Sequence, residues 1–354
     1  MLAADYRRPI ALCVTSILCR FLDFALVLTF SVGGLLWSSE PLSSFGELDL
    51  SHPSIWHTML KTVLTDTLEI AYEEAGEPTC GPVILLHGFP DDAKAWTGVA
   101  RGLSDAGFYA IAPYLRGFGQ TRFRRTETPR SGQQAALAAD LRDLIGALNL
   151  QQPILVGYDW GARAACTTTA LWPAQVGGLV SIGGYNIEDL ASDRKPASAA
   201  DEHKAWYQWY FHTERGKLGM QQNRREICRL LWELWCPNRK FTDAEYNETA
   251  ASFDNPDFVE IVIHSYRHRH GAAPGDPALE AIERQLVGQP AIEVPAIVLH
   301  GEGDGVHPPD RSEGQEKLFS KYYERWLVPQ AGHLFPREAP DAVIAAVQKL
   351  ARMR

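Results

Sequence analysis

The order of short apolar runs and helical stretches constrains the fold of this chain more than any other feature of its sequence. Residues 83–86 form a continuous apolar run bounded by Pro82 and Gly88, which is typical of a buried strand. Helical stretches such as 133–148 and 163–171 separate this run from similar ones. Strand and helix in alternation predict a mostly parallel α/β sheet flanked by helices on both faces. The other runs lie at 108–112, 154–156, 179–182 and 296–299.

The alternation stops between residues 184 and 293, where Trp, Tyr, His and Arg are frequent and no run suits a buried strand. The amphipathic stretch at 223–235 predicts that this part is helical. We therefore expect a helical lid at 184–293, inserted between two parts of one core domain. The first part of the core is expected at 59–183 and the second at 294–354.

The N-terminal extension, residues 1–58, differs from the rest of the chain. Its stretch 10–37 is strongly apolar, but Arg20 and Asp23 interrupt it and leave an uncharged run that is short for a membrane span. In one interpretation translation starts at Met59 and the protein is cytoplasmic. In the other, the stretch 10–37 is a membrane tether or part of an export signal. We favour a soluble domain that starts at about Met59 and keep the tether as the alternative.

Charge and composition exclude several classes of partner. The chain has 43 acidic and 34 basic residues and a net charge of −9, so it lacks the basic surplus that binds nucleic acid. No phosphate-binding glycine loop or dinucleotide fingerprint is present, and we predict a small-molecule substrate and no cofactor. Monomer and homodimer both remain open. The six cysteines lack the close spacing of zinc ligands, so we predict reduced thiols and no metal; they are Cys13, Cys19, Cys80, Cys166, Cys228 and Cys236.

A candidate nucleophile follows the apolar run at 154–156. The sequence Gly157-Tyr-Asp159-Trp-Gly161 leads from this strand into a helix, in the pattern of a nucleophile elbow. Glycine is needed on either side because a Cβ there would collide with a neighbouring strand or helix. Since the nucleophile position holds Asp159 and not serine, the pattern predicts attack on carbon and an alkyl ester on the carboxylate.

An acid and a histidine follow in the chain order of the α/β-hydrolases. Asp304 and His333 each come just after a predicted strand, which completes a nucleophile, acid and histidine triad. A neutral His333 is expected to act as the base. Upstream, a His-Gly-Phe-Pro sequence follows the first core strand, so the amides of Phe89 and Trp160 are the candidate oxyanion hole.

Five sequence features together resemble the epoxide hydrolases of the α/β-hydrolase fold and their dehalogenase relatives. They are His87-Gly-Phe-Pro90, Leu115-Arg-Gly-Phe-Gly119, Gly157-Tyr-Asp-Trp-Gly161, Asp304 and Gly332-His333. The resemblance covers about residues 61–350, and it implies an α/β-hydrolase core with an inserted helical cap. In epoxide hydrolases two cap tyrosines hold the oxirane oxygen, and this resemblance implies that Tyr207 and Tyr266 take that role.

The dehalogenase relatives imply other substrates for the same nucleophile. Arg163 matches the second arginine of the haloacetate dehalogenase carboxylate clamp, but Trp160 stands where the first belongs. Trp209 lies in a segment similar to the halide-binding motif of that family. Trp160 itself matches a halide-binding tryptophan of the haloalkane dehalogenases, although Phe89 replaces their usual asparagine. A binding protein without turnover is disfavoured because the triad is complete.

Overall fold

A nine-stranded sheet forms the centre of the protein in the computed structural model, which describes residues 59–190 and 195–354. Strands β1, β2 and β5 pair antiparallel at one edge, and the remaining strands run parallel in the order β4-β3-β6-β7-β8-β9. The strands are β1 (Met59–Leu64), β2 (Leu68–Ala75), β3 (Gly81–Leu86), β4 (Phe108–Pro113), β5 (Arg122–Phe123), β6 (Ile154–Tyr158), β7 (Gly178–Ile182), β8 (Ala296–Gly301) and β9 (Tyr323–Val328).

The parallel strands are buried because helices cover the sheet. Every residue of β6, β7 and β8 is buried, which explains their nearly continuous apolar sequences. Helix α1 packs against α11 and helix α2 against α3, so the helices flank the sheet in pairs. Their bounds are α1 (Thr97–Asp105), α2 (Gln134–Ala147), α3 (Trp160–Leu171), α10 (Phe335–Glu338) and α11 (Pro340–Ala351). The predicted α/β-hydrolase architecture is confirmed.

Between β7 and β8, where the sequence predicts the lid, the described residues form six α-helices. The predicted lid limits at 184 and 293 fall in the connections between β7 and the first cap helix and between the last cap helix and β8. The longest cap helix begins at Glu214, earlier than the amphipathic stretch suggested, and bends at Asn223. The cap helices are α4 (Ala199–Lys204), α5 (Trp206–His212), α6 (Glu214–Trp235), α7 (Asp243–Ala250), α8 (Phe258–Arg269) and α9 (Glu280–Leu286).

The end of α6 ties the cap to the core. The indole of Trp232 donates a hydrogen bond of 2.7 Å to the carbonyl of Pro90. The carbonyl of Trp235 accepts from the amides of Gly305, at 3.0 Å, and His333, at 3.2 Å. Helix α6 is thus bound to three loops that carry candidate site residues.

Some predictions concern the N-terminal extension, which lies outside the described residues. Its two interpretations, its stretch 10–37 and its two cysteines therefore stay as predicted. In residues 59–190 and 195–354, no helix combines the length and the apolar character that a membrane crossing requires. The four cysteines in this part are free thiols, at Cys80, Cys166, Cys228 and Cys236.

Candidate active site

The turn between β6 and α3 holds Asp159 in a strained backbone conformation. Its φ of 51° and ψ of −121° are unusual for a residue with a side chain, and its carboxylate makes no capping hydrogen bond to α3. A Cβ on Gly157 would lie 2.4 Å from the carbonyl carbon of Gly161, and a Cβ on Gly161 would lie 2.0 Å from the carbonyl oxygen of Leu86. The structure therefore leaves no room for a Cβ at either glycine, as the sequence predicts.

The loop after β3 approaches the nucleophile from the neighbouring strand. The amide of Phe89 donates to Oδ1 of Asp159 at 2.8 Å. The approach requires Gly88, because a Cβ there would lie 2.5 Å from the Cβ of Asp159. Trp160 is the first residue of α3, so its amide is one of those left without an intrahelical partner. Its role as the second oxyanion donor stays a prediction.

Strands β8 and β9 bring the acid and the histidine to the same edge of the sheet, as the carboxyl ends of parallel strands do. Nδ1 of His333 lies 2.8 Å from Oδ2 of Asp304, and Nε2 of His333 lies 3.8 Å from Oδ2 of Asp159. The other oxygen of Asp304 accepts from the amides of Val306, at 2.9 Å, and His307, at 2.8 Å. These bonds fix the acid so that it orients the imidazole toward the nucleophile.

The two carboxylates and the imidazole set one another's charge. Burial opposes the charge of Asp159, but the nearby His333 and the positive charge of Arg163 hold the pKa of its carboxyl below the usual range. Burial also opposes the charge of His333, but Asp304 and Asp159 outweigh it and raise the pKa of the imidazole. These charges favour a protonated imidazole in the resting site. The neutral His333 expected as the base stays a prediction for the step in which it accepts a proton.

The predicted tyrosines, on cap helices α5 and α8, contact each other in the interior of the protein. The rings of Tyr207 and Tyr266 are 5.3 Å apart and nearly perpendicular, and both side chains are buried. Tyr266 packs on Phe89 with ring centroids 5.7 Å apart, and on Trp160 at 6.1 Å. Burial raises the pKa of both phenols, and the charge of Asp159 acts in the same direction. Both hydroxyls therefore stay protonated and can donate hydrogen bonds.

Tyr207 also has a hydrogen bond that orients its hydroxyl. The amide nitrogen of Gln208 donates to the Tyr207 oxygen at 3.1 Å, while the Gln208 carbonyl oxygen lies 2.9 Å from Nε2 of His270. A phenol that already accepts a hydrogen bond keeps its own proton for another acceptor. This arrangement fits a proton donor.

Arg163 lies in an ion-pair cluster that the sequence did not reveal. Its Nε is 2.7 Å from Oε1 of Glu188, and Nε of Arg269 contacts the same oxygen at 2.5 Å. Both arginines and the glutamate are largely buried. Burial opposes the charge of Glu188, but the two arginines hold the pKa of its carboxyl below the usual value. Arg163 is therefore already paired with a carboxylate of the protein.

The two predicted tryptophans occupy different places. Trp160 is fully buried beside the nucleophile, with its ring 5.7 Å from that of Phe89. Its Nε1 has no hydrogen-bond partner among the described residues. Trp209 is 40% exposed, and its indole donates to Glu202 at 2.6 Å. Helix α5 directs residues two apart to nearly opposite sides, so Tyr207 and Trp209 cannot both face the nucleophile.

Two further features were missed in the sequence. Arg337 donates to both oxygens of Asp91, at 2.6 and 2.9 Å, and Tyr158 donates to Asp91 at 2.9 Å. This pair holds the loop of Phe89 against α10, the helix that follows His333. His307 places its ring 5.3 Å from that of His333. Its position three residues after Asp304 was the available signal, but spacing alone does not give the direction of the ring.

One group of side chains in the described ranges has the composition of a metal site. Ligand atoms of Asp304, His307 and His333 lie within 4.8 Å of one another. The first and last of these are already joined by their hydrogen bond of 2.8 Å. The arrangement therefore fits an acid and a base better than a resident metal.

Comparison with known proteins places this geometry in a family. A family model of the alpha/beta hydrolase fold matches residues 81–340. The chain belongs to the α/β-hydrolase fold family. Epoxide hydrolase A of Mycobacterium tuberculosis is 26% identical over 313 residues, which are 81% of this chain and 95% of that protein.

Solved structures agree with this assignment. The crystal structure of a candidate epoxide hydrolase from Klebsiella pneumoniae is 40% identical, with a TM-score of 0.80 over 83% of this chain and 97% of that one. An evolved variant of potato epoxide hydrolase shares the fold at 22% identity, with a TM-score of 0.66 over 84% of this chain and 100% of its own. The resemblance to epoxide hydrolases that the sequence predicted is confirmed.

Proposed function

We propose that this hydrolase opens an epoxide to a vicinal diol through a covalent ester on Asp159. The observation that carries the proposal is the pair of buried, protonated tyrosines, Tyr207 and Tyr266, next to an ionised carboxylate nucleophile. An oxirane oxygen leaves poorly unless hydrogen bonds and a proton stabilise it. Two phenols in contact are suited to that task.

The first half-reaction uses the free oxygen of the nucleophile. Oδ1 of Asp159 is held by the Phe89 amide, which leaves Oδ2 to attack a ring carbon. The carbon–oxygen bond of the ring breaks as the ester bond forms, and the ring oxygen takes a proton from a tyrosine. The product of this step is a hydroxyalkyl ester, and the phenolate regains its proton from water.

The second half-reaction uses the histidine as a base. The ester on Asp159 no longer carries the charge that helped to hold a proton on His333, so the imidazole can release its proton to solvent, which replaces the proton that the phenolate took from water. The neutral imidazole can then accept a proton from the attacking water. Hydroxide adds to the ester carbonyl, and the oxyanion forms at the oxygen that the Phe89 amide contacts. Collapse of this intermediate breaks the ester bond, and the leaving oxygen takes the hydroxyl proton of the intermediate, which releases the diol and restores the carboxylate. His333 keeps the proton that it took from water and so returns to its resting state.

The dehalogenase alternatives receive unequal support. A haloacetate dehalogenase needs arginines that are available to a substrate carboxylate, whereas Arg163 is paired with Glu188 at 2.7 Å. A haloalkane dehalogenase remains a second candidate because the buried Nε1 of Trp160 has no partner within residues 59–190 and 195–354 and can donate to a halide. The tyrosine pair has no task in that reaction, which favours the epoxide.

The test compares substrates on the full chain. Styrene oxide, 1-bromobutane and fluoroacetate are supplied separately, and diol and halide are measured. We expect diol formation that falls at least 100-fold in Tyr207→Phe and little in the control Tyr210→Phe, which changes a cap tyrosine outside the pair. Halide release without diol formation would replace this proposal by the dehalogenase. In heavy-oxygen water, label that enters the diol directly in a single turnover would refute the ester.

A further inference from the structure

His307 lies between two cavities of different size. The outer cavity, of about 300 Å³, is lined by cap and core residues that include Gln208, Trp209 and His307. The inner cavity, of about 10 Å³, adjoins Asp159 and His333 and is also lined by His307. A volume of this order holds about one water molecule. Tyr207 and Tyr266 do not line the inner cavity, which therefore lies on the histidine side of the nucleophile.

The ring of His307 can offer hydrogen bonds at this position. Burial lowers the pKa of His307 to about 3, and the charge of His333 acts in the same direction, so the imidazole is neutral. A neutral imidazole has one donor and one acceptor nitrogen. Neither ring nitrogen of His307 has a hydrogen-bond partner in the described ranges, and its backbone groups contact Asp304 and His300.

The second half-reaction requires such a neighbour. The nucleophilic water must sit between Nε2 of His333 and the ester carbonyl of Asp159, and these two groups supply only some of the partners that a buried water needs. Nε2 of His333 is buried and has no hydrogen-bond partner in the part of the chain that the structure describes. His300, the other histidine lining the inner cavity, has both ring nitrogens within hydrogen-bond distance of oxygens: Nδ1 at 2.8 Å and Nε2 at 2.9 Å. His307 is the neighbouring histidine that can complete the set.

We propose that His307 positions the hydrolytic water at His333, and that this water arrives from the outer cavity past His307. The inference rests on the proposed ester mechanism and adds a positioning residue to it. His307 neither touches the substrate nor changes its own protonation. It orients one water for attack on the histidine side of Asp159, and the epoxide binds on the side of Tyr207 and Tyr266.

The test separates the two half-reactions in the full chain. Styrene oxide is mixed with excess enzyme and quenched at intervals, and the mass of the intact protein gives the fraction in the ester form. In His307→Phe we expect ester formation within about twofold of the unsubstituted enzyme and ester hydrolysis at least tenfold slower, so that the ester accumulates. In His307→Gln, which keeps a donor and an acceptor, hydrolysis should return to within about threefold.

Each other outcome has a defined meaning. Unchanged ester hydrolysis in His307→Phe would overturn the positioning role. Slowing of ester formation and ester hydrolysis by the same factor, in both His307→Phe and His307→Gln, would overturn it as well. The proposed function is tested separately with His333→Gln, in which the ester should persist because no base activates the water. If styrene oxide is turned over but His333→Gln forms no ester, the ester mechanism fails, and the role of His307 fails with it.

Discussion

Replacing Arg337 by methionine should destabilise the protein by about 3–5 kcal/mol, because the change leaves the carboxylate of Asp91 buried without its cation. The exposed fraction of the side chain is 8% for Arg337 and 0% for Asp91. The Tyr158 hydroxyl, at 2.9 Å, and the Asp92 amide, at 2.8 Å, still donate to Asp91 after the change. These remaining hydrogen bonds place the expected loss near the lower limit of that range.

Urea unfolding measures this loss. With a slope of about 3 kcal/mol per molar urea, a loss of 3 kcal/mol lowers the midpoint by about 1 M. The control is Arg284→Met, because Arg284 is 70% exposed and its ion pair with Glu280 is long, at 3.8 Å. This substitution should change the free energy of unfolding by less than about 0.5 kcal/mol. Asp91→Asn combined with Arg337→Met should recover part of the loss because the carboxylate that lost its closest cation is then absent. Equal midpoints for Arg337→Met and Arg284→Met would refute the reasoning.

Three further predictions concern the site. Ester hydrolysis should slow as pH falls through the pKa that His333 has in the ester, where Asp304 still raises it but Asp159 no longer does. Ester formation should persist because the pKa of Asp159 is lowered. Rapid-quench rates from pH 5 to 9 test both steps, and parallel profiles would contradict the assignment. Glu188→Gln should free the arginines that Glu188 binds, so that they can bind a substrate carboxylate. The ratio of kcat/KM for phenylglycidate to kcat/KM for its uncharged methyl ester should then rise about tenfold, and an unchanged ratio would count against the pairing. Gly157→Ala should lower the free energy of unfolding by about 1–3 kcal/mol, as measured by thermal unfolding. Gly146→Ala should not lower it, because a Cβ there meets nothing within 4 Å. Equal free energies for the two variants would refute the crowding argument.

The sequence predicted the triad because its members are encoded locally. Asp159, Asp304 and His333 each follow a strand, and parallel strands bring their carboxyl ends to one edge of the sheet. The glycines beside the nucleophile were also predictable, since a tight turn excludes a Cβ. Tyr207 and Tyr266 were reached only through resemblance to a family, because one helical turn rich in aromatic residues does not reveal which ring faces inward.

The remaining features depend on contacts that are distant along the chain. Asp91 and Arg337 are 246 positions apart and form one ion pair. Glu188 neutralises Arg163 from a loop whose path no local pattern describes. The shift in the pKa of His333 could not be predicted from the sequence, because it depends on two carboxylates at once and their summed effect requires distances. Folding patterns could be read from the sequence, whereas charge states required coordinates.

The carbonyl of Trp235 has a consequence for how substrate enters. It accepts from the amides of both Gly305 and His333, and the Trp232 indole holds Pro90 one turn earlier on the same helix. A hinge motion that lifted this end of α6 would pull on the loops of the acid, the histidine and the oxyanion donor together. We therefore expect the proposed epoxide to enter and the diol to leave without movement of this end of α6. A crosslink that joins this end to the core should leave the turnover rate unchanged.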